Sequence, residues 1–313
     1  MISWSTRPDA GTEVMISDAN SGEIDNAPAS RSHRLDRASA AASTAAFADP
    51  DFVAGLSVGG AYWDGDDFAS GDSLSGHHVQ GLLSGAYNFT PVLGMQGDVR
   101  LNFESLDDDG ETLDITSIDG ALHGFYRESE RFLLGGLVQL GQDEFSSNYY
   151  SAKLNRTAVG AEAQAFFDQL TVYGQLGLQT LGPDYVGALD LDGWFITGEV
   201  RYFLTPDFKI EAHAGRSELS YSDVLSLQFE TVNAGIGAEY KLADLPLSIF
   251  AQYDYTTSSL TLLDASIDSH RVLVGLKFNM GKETLQDRDR NGASLKPLDF
   301  GPTNSLFGDY MVP

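Results

Sequence analysis

The residues in this chain with the most obvious chemical potential are its histidines, carboxylates and arginines. The histidines are His33, His77, His78, His123, His213 and His270, and no pair of them has the H-E-x-x-H spacing of a zinc site. Ser269-His270 is the nearest approach to a nucleophile–base pair, and no G-x-S-x-G elbow, phosphate-binding loop or dinucleotide fingerprint accompanies it. The absence of cysteine excludes a disulfide scaffold, thiolate zinc, iron–sulfur clusters and a cysteine nucleophile. Two carboxylate runs, Asp64, Asp66, Asp67 and Asp107, Asp108, Asp109, could offer oxygen ligands to calcium or magnesium, or could be a solvated acidic rim. The stretch Asp287-Arg288-Asp289-Arg290-Asn291-Gly292 mimics the start of an EF-hand loop, but its twelfth position is Leu298, not glutamate. No catalytic constellation or resident cofactor is expected. A formal net charge of -26 argues against a nucleic-acid partner.

The remaining charges fall into a pattern that needs an element to explain it. From residue 51 to 280 polar and apolar residues alternate with period two. In 94–104, Met95, Val99, Leu101 and Phe103 share one face, while Asp98, Arg100 and Glu104 share the other. Twelve such segments are expected: 52–63, 77–89, 94–104, 115–126, 132–143, 154–167, 171–181, 191–204, 208–217, 227–241, 247–256 and 269–280. Most are longer than the ~5–6 residues of a soluble strand and suit a tilted membrane-spanning one of about 9–11. Short and long connections alternate, and the aromatics Phe89, Tyr126, Phe167, Phe203, Tyr240 and Phe278 recur at intervals of 37, 41, 36, 37 and 38 residues before the short ones. Ten or fourteen strands would satisfy the same signals within boundary error.

These features predict an all-β fold: a single up-and-down antiparallel transmembrane β-barrel of about twelve strands. Apolar faces then meet lipid. Asp98, Arg100, Glu104, Asp119, His123, Arg127, Arg156, Glu162, Glu199, Arg201, Lys209, Glu211, His213, Glu239, Asp254, Arg271 and Lys277 line the lumen. Tyr87, Phe89, Tyr126, Phe167, Tyr202, Phe203, Tyr240 and Phe278 form a membrane-interface belt. Gly55, Gly59 and Gly60 read as positions where a small residue relieves crowding.

Three zones follow. Residues 1–50 are a polar segment, in which Arg31, Arg34 and Arg37 precede an Ala-rich run to Ala48; this reads either as a secretion leader cleaved before Asp49 or as a short helix. Residues 51–280 are the barrel. Residues 281–313, with Pro297, Pro302 and Pro313, read as an irregular periplasmic tail.

The hairpin repeat, the Gly-rich alternation and the closing strand Val272-Leu273-Val274-Gly275-Leu276-Lys277-Phe278 resemble Gram-negative outer-membrane β-barrel proteins of the porin-like superfamily. The resemblance covers about residues 51–280. It implies location in the outer membrane, contact with its lipid and lipopolysaccharide, and insertion by the barrel-assembly machinery. The strand count and the segment before the first strand are also similar to autotransporter translocators, and outer-membrane phospholipases share the strand count. The expected role is a narrow channel for passive diffusion of small hydrophilic solutes. The alternative is a closed structural or surface-interaction barrel acting through its acidic loops. The oligomeric state and the solute are left open.

Overall fold

The computed structural model describes residues 50–65, 73–108, 111–147, 151–183, 190–221, 227–261 and 265–299. The first 49 residues, with the leader-like run, and Asp66, Asp67 and Asp109 lie outside them.

Twelve antiparallel strands close on themselves. They are β1 (Asp51–Gly65), β2 (Leu74–Asn88), β3 (Leu93–Asp108), β4 (Glu111–Glu128), β5 (Phe132–Ser146), β6 (Ser151–Phe167), β7 (Leu170–Pro183), β8 (Leu191–Thr205), β9 (Phe208–Tyr221), β10 (Leu227–Lys241), β11 (Leu247–Leu260) and β12 (Ala265–Met280). Each pairs with its neighbours in sequence, and β1 pairs with β12 from Phe52↔Met280 to Gly65↔Ile267. That last ladder removes both sheet edges. Closure is the condition for crossing lipid in β-structure, since an unpaired backbone group there costs several kcal/mol. The strands run 14 to 18 residues, longer than the period-two signal suggested, because pairing continues past the apolar stretch toward the long loops.

The side-chain distribution inverts that of a soluble protein. Leu178 (64%), Ile236 (62%) and Leu140 (61%) are among many large apolar residues exposed on the outer wall. Asp119, His123, Arg127 and Arg201 are buried on the inner wall. Period-two alternation forces this division: a residue and its successor point to opposite sides of the sheet.

That rule also corrects one assignment. Tyr202 is exposed on the outer wall, so Phe203 must face inward, and it is 1% exposed there, beside a register irregularity between Phe203 and Thr205. Tyr87, Phe89, Tyr126, Phe167, Tyr240 and Phe278 are exposed as expected. Near the short-turn rim several pair edge-on or tilted, including Tyr87 with Phe89 at 5.3 Å and Phe208 with Tyr240 at 6.1 Å.

The short turns use the left-handed backbone region at Glu130, Asp168 and Asp244. Of the glycines expected to relieve crowding, Gly59 does so: a Cβ there would lie 1.8 Å from the Val272 carbonyl oxygen across the closing seam. Gly60 does not, having no neighbour nearer than 3.7 Å to that position.

After Met280 the chain does not leave the barrel as an irregular tail. Gly281, at φ 114°, turns it back, and a seven-residue helix α1 (Leu285–Asn291) follows. A side chain at Gly281 would suit neither this dihedral nor the Asp51 carboxylate 2.8 Å from its Cβ position. Thr284 caps α1 by accepting from the Asp287 amide at 3.0 Å, and Arg288 and Arg290 sit in its last turn, where the helix dipole favours cations. The EF-hand-like stretch is therefore the end of a helix, not a cation loop.

Candidate functional site: the occupied lumen

Every charged residue assigned to the lumen from parity faces it. Asp98, Arg100, Asp119, His123, Arg127, Arg156, Glu162, Glu199, Arg201, Glu211, Glu239 and Asp254 are buried, and Glu104, Lys209, His213, Arg271 and Lys277 are partly so. They form chains of opposite charge. Asp119 receives Arg100 at 3.1 Å and Arg156 at 2.7 Å. Both nitrogens of His123 face carboxylates, Asp98 at 3.1 Å and Glu162 at 3.0 Å, and Tyr173 donates to Glu162 at 2.8 Å. Lys209 and Lys277 share Glu239, at 3.4 and 2.8 Å. Arg271 pairs with Asp254 at 3.2 Å, and His78 with Glu104 at 3.0 Å. Buried charge is tolerated here because each group has a partner.

Three further features shape the lumen. The first is an apolar layer inside the long-loop rim. Trp63, Leu74, Leu106, Phe145, Leu154, Leu181, Leu191, Leu219, Phe229, Leu260 and Ile267 form one buried cluster, with Leu113 and Ile115 packed against it. Each strand contributes at least one of these residues, always from its lumen face at the long-loop end. The parity signal contained this layer, since the inner face turns apolar near the long-loop end of each strand.

The second is the fate of the tail. Helix α1 sits among the short turns: the Gln286 amide donates to the Pro206 carbonyl at 3.0 Å, and Arg290 reaches Glu130 at 3.0 Å and the Asp168 carbonyl. Burial holds the Arg288 guanidinium below its ordinary pKa, against the opposing pull of Glu239 and Asp51. Residues 292–299 then run up the inside of the wall.

Lumen side chains bind this stretch through its backbone. Gln96 donates to the Leu295 carbonyl at 2.8 Å and accepts from the Leu295 amide at 3.1 Å. Gln139 does the same for Leu298, at 3.1 and 2.7 Å. Arg127 donates to the Gly292 carbonyl, Arg201 and Gln164 to that of Ser294, and Gln175 to that of Lys296. A side-chain amide offers the same donor–acceptor pair as a neighbouring strand, so these glutamines replace a sheet partner for an isolated extended segment.

Apolar side chains fix the register. Leu295 packs among Phe125, Leu133, Phe166 and Tyr173; Leu298 packs among Leu137, Ala158 and Phe195. Polar contacts complete it: Asp289 pairs with Arg201 and accepts from the Thr171 hydroxyl, Lys296 pairs with Glu199 and Glu211, and Asp299 with Arg271 and Arg100.

The third is the remaining space. The tail lies against the wall from β3 to β8. Beside it is a cavity of about 170 Å³, with Gln80, His213, Gln252 and Lys277 of the wall and Lys296 and Asp299 of the tail among the residues lining it. A smaller space of about 50 Å³, touching Trp63, His78 and Asp299, separates the tail from the apolar layer.

The remaining sequence candidates do not assemble. Ser269 is buried in the lumen while His270 lies on the outer wall beside Tyr253, at 2.8 Å, so they form no catalytic pair. Asp64 and Asp107 are exposed, and the side chain of Asp108 lies outside the described residues. Among the described residues no three His, Asp or Glu side chains cluster as a metal site would require.

No protein-family profile and no curated protein matches the chain. Solved structures do. An outer-membrane channel from Pseudomonas putida F1 aligns with a TM-score of 0.55 at 13% identity, covering 74% of this chain and 96% of that one. The translocator domain of the autotransporter NalP from Neisseria meningitidis aligns at 0.49 and 15% identity, over 72% and 87%. The β-domain of the Bordetella autotransporter BrkA aligns at 0.47 and 9%, over 74% and 100%. At these identities the likeness concerns the fold: the chain is an outer-membrane-type β-barrel.

Proposed function

We propose that this protein is an outer-membrane channel for small hydrophilic solutes whose lumen is held shut by its own C-terminal segment. One observation carries the reading: the inner wall is polar and charged around its circumference, and several of those groups bind residues 289–299 as well as each other, with the Arg127 guanidinium hydrogen-bonded, among the described residues, to the tail alone. A barrel built only as a closed post could pair its lumen charges directly or fill with apolar side chains, as a smaller barrel does. Here the filler is one covalently tethered strip, leaving a polar cavity beside it. Narrowing a lumen with a chain segment and rings of charge is a physical route to selective passage.

The apolar layer supports a second reading, a closed surface-interaction barrel, because a continuous ring of apolar side chains excludes water. In the first reading that layer is a second constriction in series with the tail. Lipid, lipopolysaccharide and the assembly machinery remain the expected partners, and cation binding by the acidic loops remains an expectation. Conductance of the full chain in a planar bilayer, compared with a variant of loosened tail, tests the proposal. Stable steps that lengthen on loosening support a tail-gated channel, whereas insertion without current in both favours the closed barrel.

A further inference from the structure

The tail's charged residues divide into two kinds. Arg288 and Asp289 are dry, with side chains 7% and 5% exposed, and they act as anchors. Lys296 and Asp299 are not: their side chains are 38% and 33% exposed, and both stand on the wall of the 170 Å³ cavity. The Lys296 ammonium lies 2.7 Å from Glu199 and 3.0 Å from Glu211. The Asp299 carboxylate lies 2.9 Å from Arg271 and 3.5 Å from Arg100. One cavity thus presents an acidic seat filled by an amine and a basic seat filled by a carboxylate.

We propose that these seats form a binding site for small zwitterionic solutes of the amino-acid or dipeptide class, and that Lys296 and Asp299 occupy it as tethered mimics. The proposal rests on the channel reading above and names its solute. Geometry sets the size. Two residues, Pro297 and Leu298, separate the two mimics, so their backbone positions lie at most about 10 Å apart. That separation sets the scale of the site at the two ends of a short peptide. A cavity of about 150 Å³ holds a molecule the size of benzene, so the present space is already large enough for a solute of a few heavy atoms. Selectivity follows from matching charge at both ends of the solute. A solute with one terminus capped would forgo the charge-assisted contacts of one seat, whose residues would keep only their partners on the wall.

The test uses the full chain with Lys296→Ala and Asp299→Ala together. Both side chains are substantially exposed, and neither belongs to the buried Leu295 and Leu298 contacts, so folding is expected to survive; heat-modifiability on gels checks it. Binding of glycylglycine is read by titration calorimetry beside N-acetylglycinamide, in which both charges are removed. Binding of the dipeptide at least ten-fold tighter than the capped analogue, and at least ten-fold weaker binding to the unsubstituted protein, supports the site. Loss of that preference in a further Glu199→Gln, Glu211→Gln variant assigns the amine seat. Equal or undetectable binding of both compounds to the folded double variant overturns the proposal. Calorimetry needs no current, so binding without conductance would leave the site standing and count against the channel, while conductance without binding would do the reverse.

Discussion

Removing the side chain of Leu295 should release the tail while leaving the barrel closed. Leu295 is 4% exposed and packs among Phe125, Leu133, Phe166 and Tyr173. Truncating such a leucine to alanine costs about 2–5 kcal/mol. The barrel's ladders, including the β1–β12 seam, do not involve Leu295, so the loss falls on the docking equilibrium of the tail. At about 1.4 kcal/mol per factor of ten, the undocked fraction rises by about 30-fold to roughly 4,000-fold. The protein contains no cysteine, so a single Ser294→Cys reports that fraction. Ser294 is 8% exposed when docked. The rate of modification by a bulky, charged thiol reagent, relative to a cysteine on an exposed strand end such as Ser220→Cys, then measures release. Leu295→Ala should raise the Ser294→Cys rate by at least ten-fold without changing the heat-modifiability of the barrel. A Ser294→Cys thiol that reacts as fast as the exposed control before any further change, or a rate indifferent to Leu295→Ala, would refute the docked tail.

Three other consequences follow from the same geometry. Among the described residues, Arg201→Ala leaves the buried Asp289 carboxylate with only the Thr171 hydroxyl and Glu199 with only Lys296, and should cost about 3–5 kcal/mol, lowering the midpoint of heat-modifiability well below that of Arg216→Ala, whose exposed pair with Glu230 contributes under about 1 kcal/mol. Phe203→Ala should destabilise the refolded protein in urea titrations by about 3–5 kcal/mol because its ring is buried in the lumen, whereas Tyr202→Ala, on the outer wall, should change stability less and bilayer insertion more. Gly59→Ala should impair refolding, since its Cβ position lies 1.8 Å from the backbone of β12, while Gly97→Ala, with nothing within 4 Å, should refold normally by gel shift.

The barrel wall was legible because every signal it needs is local. Alternation at Met95, Val99 and Leu101 against Asp98 and Arg100 sets both the face and the register of a strand, and the next strand repeats the test. One slip at Phe203 came from counting a sequence interval instead of following parity from Tyr202. The apolar layer was present in the same pattern: Leu106 continues the face that carries Arg100 and Glu104, and Phe145 continues that of Gln139 and Asp143. The tail was not legible. Leu295 and Leu298 lie amid prolines and mixed charges with no repeat, and their partners Gln96 and Gln139 are 199 and 159 residues away. A glutamine that clamps an extended backbone looks in sequence like any polar lumen residue.

Single-channel recording of the full chain with Leu295→Ala, Leu298→Ala, Gln164→Cys and Ser294→Cys decides whether the tail closes the lumen, because the Ser294 and Gln164 side chains meet at 3.2 Å. A short bifunctional methanethiosulfonate can therefore tie tail to wall reversibly. The account predicts frequent, long conductance steps in the reduced protein, silence after cross-linking and recovery with dithiothreitol, against rare brief steps with the natural tail. A reduced variant that inserts and stays silent, or one that conducts equally well with its tail tied in place, would contradict it.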